Sequence, residues 1–168
     1  MSIIQASDFS SGQYGIPQDK FTLLAPYIAK YEREYLLHLL GSELYDLFIA
    51  DLTAPTPQIP QAAIYLAIFN KFNITSGGIW YQGEGIKEML KQFIYFHWMR
   101  DAVYRKTTFG VTKSKAETGE NNGYLGFNLE ESYNHGVNNI NSIQLYITDN
   151  MVNYPTFRGN FIDFISGI

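Results

Sequence analysis

The sequence predicts a mainly α-helical protein: a helical bundle with two long helices, a long polar loop and extended N- and C-terminal arms. Three observations carry this expectation. Apolar residues recur at steps of three and four between Leu24 and Leu40, between Ile86 and Arg105, and between Leu129 and Met151. A proline cluster and a glycine pair fall between those stretches, where chain reversals belong. A length of 168 residues, 46% hydrophobic and 17% charged, suits one domain with its own core.

Residues 1–16 are polar and contain Gly12 and Gly15, so they read as an extended arm, mobile or bound to a partner, with Ile3 and Ile4 as its strong anchors. The helical domain is expected over residues 17–153. Pro17 opens the first helix, whose seam is Leu24, Tyr27, Ile28, Tyr31, Tyr35, Leu36, Leu39 and Leu40; Pro26 is expected to kink or restart it. Gly41 stands where a left-handed C-cap ends that helix, and Ser42 offers an N-cap to a short second one, Glu43 to Leu52.

Pro55, Pro57 and Pro60 then impose an extended linker, because each removes a donor and disfavours helix at the residue before it. A third helix, Gln61 to Phe72, is apolar nearly all round and therefore expected to be buried. Asn73 to Gly85 holds four glycines around Ile79-Trp80-Tyr81 and reads as a loop, with a short strand at most. Ile86 to Arg105 gives the clearest helix, with Met89, Leu90, Phe93, Ile94, His97 and Trp98 on one side.

Residues 107–123 change composition abruptly and form a long polar loop carrying Lys113 and Lys115. The last helix, Leu129 to Met151, is rich in Asn and contains Gly136, so its neighbours must stabilise it. Tyr154-Pro155 ends it and begins a tail, 154–168, whose Phe157, Phe161 and Phe164 are costly to leave in water. Two fates follow for that tail: it packs on its own domain, or it docks into a neighbour.

Charge and composition exclude several functions. With 12 Lys and Arg against 16 Asp and Glu, the net charge of −4 provides no bulk positive field for holding a nucleic-acid backbone. The absence of cysteine removes disulfides, thiolate catalysis and Cys-based metal sites. The first residues lack the basic and apolar regions of a signal peptide, and prolines interrupt the longest uncharged stretch, so no membrane span is expected. The 13 Tyr and 12 Phe supply contact area suited equally to cores and to protein interfaces.

Catalytic and cofactor patterns are weak throughout. Glu34 with His38, and His97 with Asp101, stand four apart on a helix, but no third ligand or clustered His completes a metal site. The expected arrangement is a surface pair in the first case and a partly buried His bonded to Asp in the second. Gly83-Glu84-Gly85 reads as a helix-start turn, since no strand leads into a dinucleotide-binding unit. Glu130 and Glu131 are adjacent, so they point apart on a helix, and their expected role is to complement the dipole of a first turn. No nucleophile motif occurs, and no enzyme activity, cofactor or metal is expected.

The corner Tyr35-Leu36-Leu37-His38-Leu39-Leu40-Gly41-Ser42-Glu43-Leu44-Tyr45-Asp46 resembles that of small helical proteins encoded beside capsid genes in phages of Bacteroidetes. Over residues 17–158, the long helix, polar loop and second long helix resemble the head-to-tail adaptor, or ring, proteins of tailed phages, most closely those of crAss-like phages. The resemblance implies a structural virion protein of the phage neck or tail, made in the host cytoplasm. It implies a homo-oligomeric ring, a dodecamer, below the portal protein, meeting other tail or ring proteins and lining the channel through which DNA passes without sequence-specific binding. No catalytic residues carry over. By position, the loop with Lys113 and Lys115 resembles the loop that adaptors project, and the run Tyr154-Pro155-Thr156-Phe157-Arg158-Gly159, continuing to Phe161 and Phe164, resembles a portal-docking segment. Ile3 and Ile4, as anchors of an extended arm, are expected at the portal or a neighbouring subunit. The competing expectations are a helical virion accessory or interaction module that forms no portal-bound ring, and a hydrolase assembled from residues distant in sequence.

Overall fold

The computed structural model describes residues 2–53, 57–107, 110–113 and 122–159; between 103 and 128 it describes the backbone alone. The fold is mainly helical. Its elements are α1 (Phe21–Leu40), α2 (Ser42–Asp51), α3 (Ala63–Phe69), β1 (Phe72–Ser76), β2 (Ile79–Gly83), α4 (Ile86–Val103), β3 (Tyr104–Thr107), β4 (Gly110–Lys113) and α5 (Asn122–Asp149), with single 3₁₀ turns at Ala6–Phe9 and Gln18–Lys20.

The core lies where α1, α4 and α5 meet. Leu24, Ile28, Tyr31, Tyr35 and Leu39 of α1 face Met89, Leu90, Phe93 and Ile94 of α4, and Val137, Ile140, Ile143 and Ile147 of α5 close the third side. α4 and α5 share the longest contact of the bundle. At their crossing, a Cβ on Gly136 would stand 2.8 Å from the Phe93 ring, so this glycine lets the two helices approach. Pro26 neither breaks nor restarts α1: the 3₁₀ turn at Gln18–Lys20 precedes the helix, which then runs unbroken through Pro26 to Leu40.

Gly41 ends α1 with φ at +75°, and Ser42 begins α2 without a side-chain cap. α3 is shorter than its apolar run, because Ala62 stays extended while the Asp51 carboxylate takes the N–H groups of Gln61 and Ala62 at 2.7 and 2.8 Å. Residues 72–83 correct the loop expectation: β1 and β2 form an antiparallel hairpin about Gly77-Gly78, both at positive φ, as a two-residue turn of this hand requires. A second hairpin, β3 with β4, continues directly from α4 and occupies the start of the expected polar loop. Lys113 closes β4, whereas Lys115 and residues 114–121 lie outside the described residues. Since α5 begins at Asn122, Glu130 and Glu131 belong to its interior turns, and the first-turn dipole does not account for them. Among the described residues no helix is long and apolar enough to cross a membrane.

Candidate interaction surface

The N-terminal arm is part of the domain. Ile3 and Ile4 are each 1% exposed, and Phe9, Tyr14 and Ile16 are buried with them. The reason is local: the Glu32 carboxylate, on the inner side of α1, accepts the N–H of Ile3 at 3.1 Å and of Ile4 at 3.0 Å, so the arm's backbone is satisfied as its side chains enter the core. Ser2 adds its hydroxyl to the same carboxylate at 2.7 Å, and Lys87 on α4 pairs with Asp8 at 2.7 Å. Ile3 and Ile4 are therefore buried anchors of their own domain, where the expectation had them exposed to the portal or a neighbouring subunit.

The first residues of the tail dock in the same way. Tyr154 is 1% exposed and donates its hydroxyl to the Ile64 carbonyl; Phe157 packs against the core. The Arg158 N–H bonds the Leu40 carbonyl at 3.3 Å, and a Cβ on Gly41 would lie 2.7 Å from the Arg158 carbonyl oxygen. Pro155 and Arg158 remain exposed, whereas Tyr154 is sealed in its own domain. Phe161 and Phe164 lie outside the described residues.

The histidines form no metal centre. His97 is buried and stacks on Tyr31 with ring centroids 3.7 Å apart, while its Nε2 stands 2.7 Å from the Tyr35 hydroxyl. The expected Asp101 partner instead meets Tyr27 at 3.2 Å and Arg100 at 3.1 Å. Burial, helped by the nearby Arg100 cation, lowers the His97 pKa to about 4 and keeps the ring neutral. Burial also holds the Tyr14 hydroxyl up at about 12 and pushes Tyr35 higher still. Glu34 is exposed, and Glu131 stands 3.7 Å from His135 one turn along α5. Among the described residues no three His, Asp or Glu side chains gather as ligands.

The distinctive outer feature is the β1–β2 hairpin. Phe72 and Ile74 face inward, Phe72 meeting Tyr146 of α5 at 4.9 Å, while Asn73, Thr75, Trp80 and Gln82 form an exposed outer face. Ile79 and Trp80 are 58% and 61% exposed at the turn end. A groove runs between β2 and α5, with cavities of about 180 and 300 Å³ sharing Gln82, Asn138 and Ser142. The groove closes where Asn139 ties the β2–α4 turn to α5, accepting the Glu84 N–H at 2.9 Å and donating to the Gly85 carbonyl at 3.2 Å. Gln92 fixes the Glu84 carboxylate at 3.0 Å. Amides, the Tyr81 and Ser142 hydroxyls, the Glu84 carboxylate and the His135 imidazole line the groove and suit hydrogen bonding to a partner, while the Ser142 hydroxyl is given to the Asn138 carbonyl at 2.9 Å.

Sequence reasoning missed this surface, although the pair Gly77-Gly78 between Phe72-Asn73-Ile74-Thr75-Ser76 and Ile79-Trp80-Tyr81-Gln82 is a hairpin signal. No family model, no curated protein and no solved structure matches this chain.

Proposed function

We propose that this chain is a structural virion protein, a head-to-tail adaptor that forms a ring below the portal of a tailed phage and lines its DNA channel. One observation carries most weight: the described surface offers an exposed β hairpin beside a polar groove, an arrangement for assembly rather than for turnover. A ring needs two unlike surfaces on each subunit, and the two hairpins supply them on separate parts of the chain. The resemblance of the Tyr35 to Asp46 corner supports this family, and the net charge of −4 suits a wall along which DNA slides during genome ejection without sticking. In this reading the protein is not an enzyme. Its partners are further copies of itself, the portal, and other tail or ring proteins.

The docked Tyr154–Gly159 segment favours a second reading, a helical accessory or interaction module that never joins a portal-bound ring. Native mass spectrometry of the chain mixed with the portal of the same phage separates the two. Twelve copies per portal ring is the adaptor result; a free monomer or dimer at every ratio supports the module.

A further inference from the structure

The β2 strand is an edge without protection. Natural edge strands carry lysines, prolines or bulges that discourage pairing, yet Ile79-Trp80-Tyr81-Gln82-Gly83 has none of these. The register determines which backbone groups are left over. With a two-residue turn, Ser76 and Ile79 form a hydrogen-bonded pair, and alternation makes Ile74–Tyr81 and Phe72–Gly83 the next two. The N–H and C=O groups of Trp80 and Gln82 therefore point away from β1, and none has a hydrogen-bond partner among the described residues. The next N–H in that alternation, from Glu84, is taken by Asn139, so this edge faces the groove over α5. A strand added beside β2 would extend the sheet across Asn138, Asn141 and Ser142, whose side chains bond readily to extended backbone.

We infer that β2 is completed by β4 of a second copy of this chain, joining the two hairpins into one intermolecular sheet. Charge selects this occupant. The β3–β4 hairpin carries Arg105, Lys106 and Lys113 with no carboxylate, in a chain that is acidic overall, whereas the groove is lined by Glu84 and by His135, which stands 3.7 Å from the Glu131 carboxylate. The contact is between unlike surfaces, so it propagates from subunit to subunit instead of closing as a dimer. This assignment rests on the ring reading above and names the contact by which the ring would close.

The chain has no cysteine, so single cysteines report the contact cleanly. Full-length Gln82→Cys and Thr112→Cys proteins are oxidised separately and as a mixture, with and without portal. The mixture is expected to give a disulfide-linked dimer at least several-fold above either protein alone. No mixed dimer under any condition, or a Gln82→Cys dimer that dominates, overturns the assignment. A second variant, Gln82→Pro, removes an N–H that the monomer does not use, so its circular dichroism is unchanged while self-association is lost. Self-association equal to wild type overturns the assignment as well. Rings on the portal that are indifferent to Gln82→Pro and give no mixed disulfide would defeat this contact while leaving the adaptor reading intact. A mixed disulfide without any portal-bound ring would uphold the contact and defeat the adaptor reading.

Discussion

The Glu32 carboxylate lies within 3.2 Å of the Ile3 backbone nitrogen through both its oxygens, and it holds the N-terminal arm in the core. Replacing Glu32 by Ala leaves the N–H groups of Ile3 and Ile4 buried without acceptors. Hydrogen bonds to a charged group contribute roughly 1.5–3 kcal/mol each, so a loss of about 3 kcal/mol in urea unfolding is expected. Glu32→Gln, which keeps one acceptor oxygen, should lose distinctly less. Equal stability of Glu32→Ala and wild type would show that the arm contributes nothing to folding.

Gly41 meets two demands at once, a φ of +75° and the backbone of Arg158 against its α-carbon. Gly41→Ala is expected to lower stability by about 2–3 kcal/mol, because a φ of +75° with a ψ of 166° is open essentially to glycine alone, at a cost on the order of 1–3 kcal/mol for other residues, and the tail must also move. Gly12→Ala has a similar φ of +83° but open space around it, and should show the smaller cost alone. Thermal unfolding of the two variants side by side measures the difference.

Gly136 reverses the usual preference for alanine in a helix. An exposed Gly→Ala change gains about 1 kcal/mol, but here the added methyl meets the Phe93 ring, which is stacked on Tyr35 at 3.7 Å and has no room to retreat. Gly136→Ala is therefore expected to destabilise, with a lowered denaturant midpoint. A raised midpoint would mean that α4 and α5 separate freely.

The helical seams and the Gly41 corner were legible because each depends on local spacing: Ile140, Ile143 and Ile147 face the core as the period of three and four requires. What was not legible depended on partners far away in the chain. His97 and Asp101 are one turn apart, but His97 is held by Tyr35, 62 residues earlier, and local pattern carries no such information. The arm looked free because its residues are polar on average; its fate was decided by Glu32, a carboxylate on the apolar side of α1 beside Ile28 and Tyr35. That interruption of an otherwise apolar face was a usable signal. The first hairpin was obscured because Trp80 stands on the solvent side, which breaks the alternation of apolar and polar residues expected of a half-buried strand.

His97 ties stability to pH. The folded protein keeps it neutral down to about pH 4, whereas an unfolded histidine takes its proton near pH 6.5, so the unfolded chain binds more protons between those values. Stability is full above pH 6.5, falls as pH drops toward 4, and loses on the order of 2–3 kcal/mol from this group over that range. His97→Gln, uncharged at every pH, should flatten that part of the profile in urea titrations at stepped pH. An unchanged slope would assign the dependence to carboxylates.

Electron microscopy of the purified chain with and without the portal of the same phage decides whether it forms a portal-bound ring. The adaptor account predicts twelve-fold density stacked on the portal, with neighbouring subunits in contact through their hairpins. A compact particle that leaves the portal bare at every ratio would contradict it.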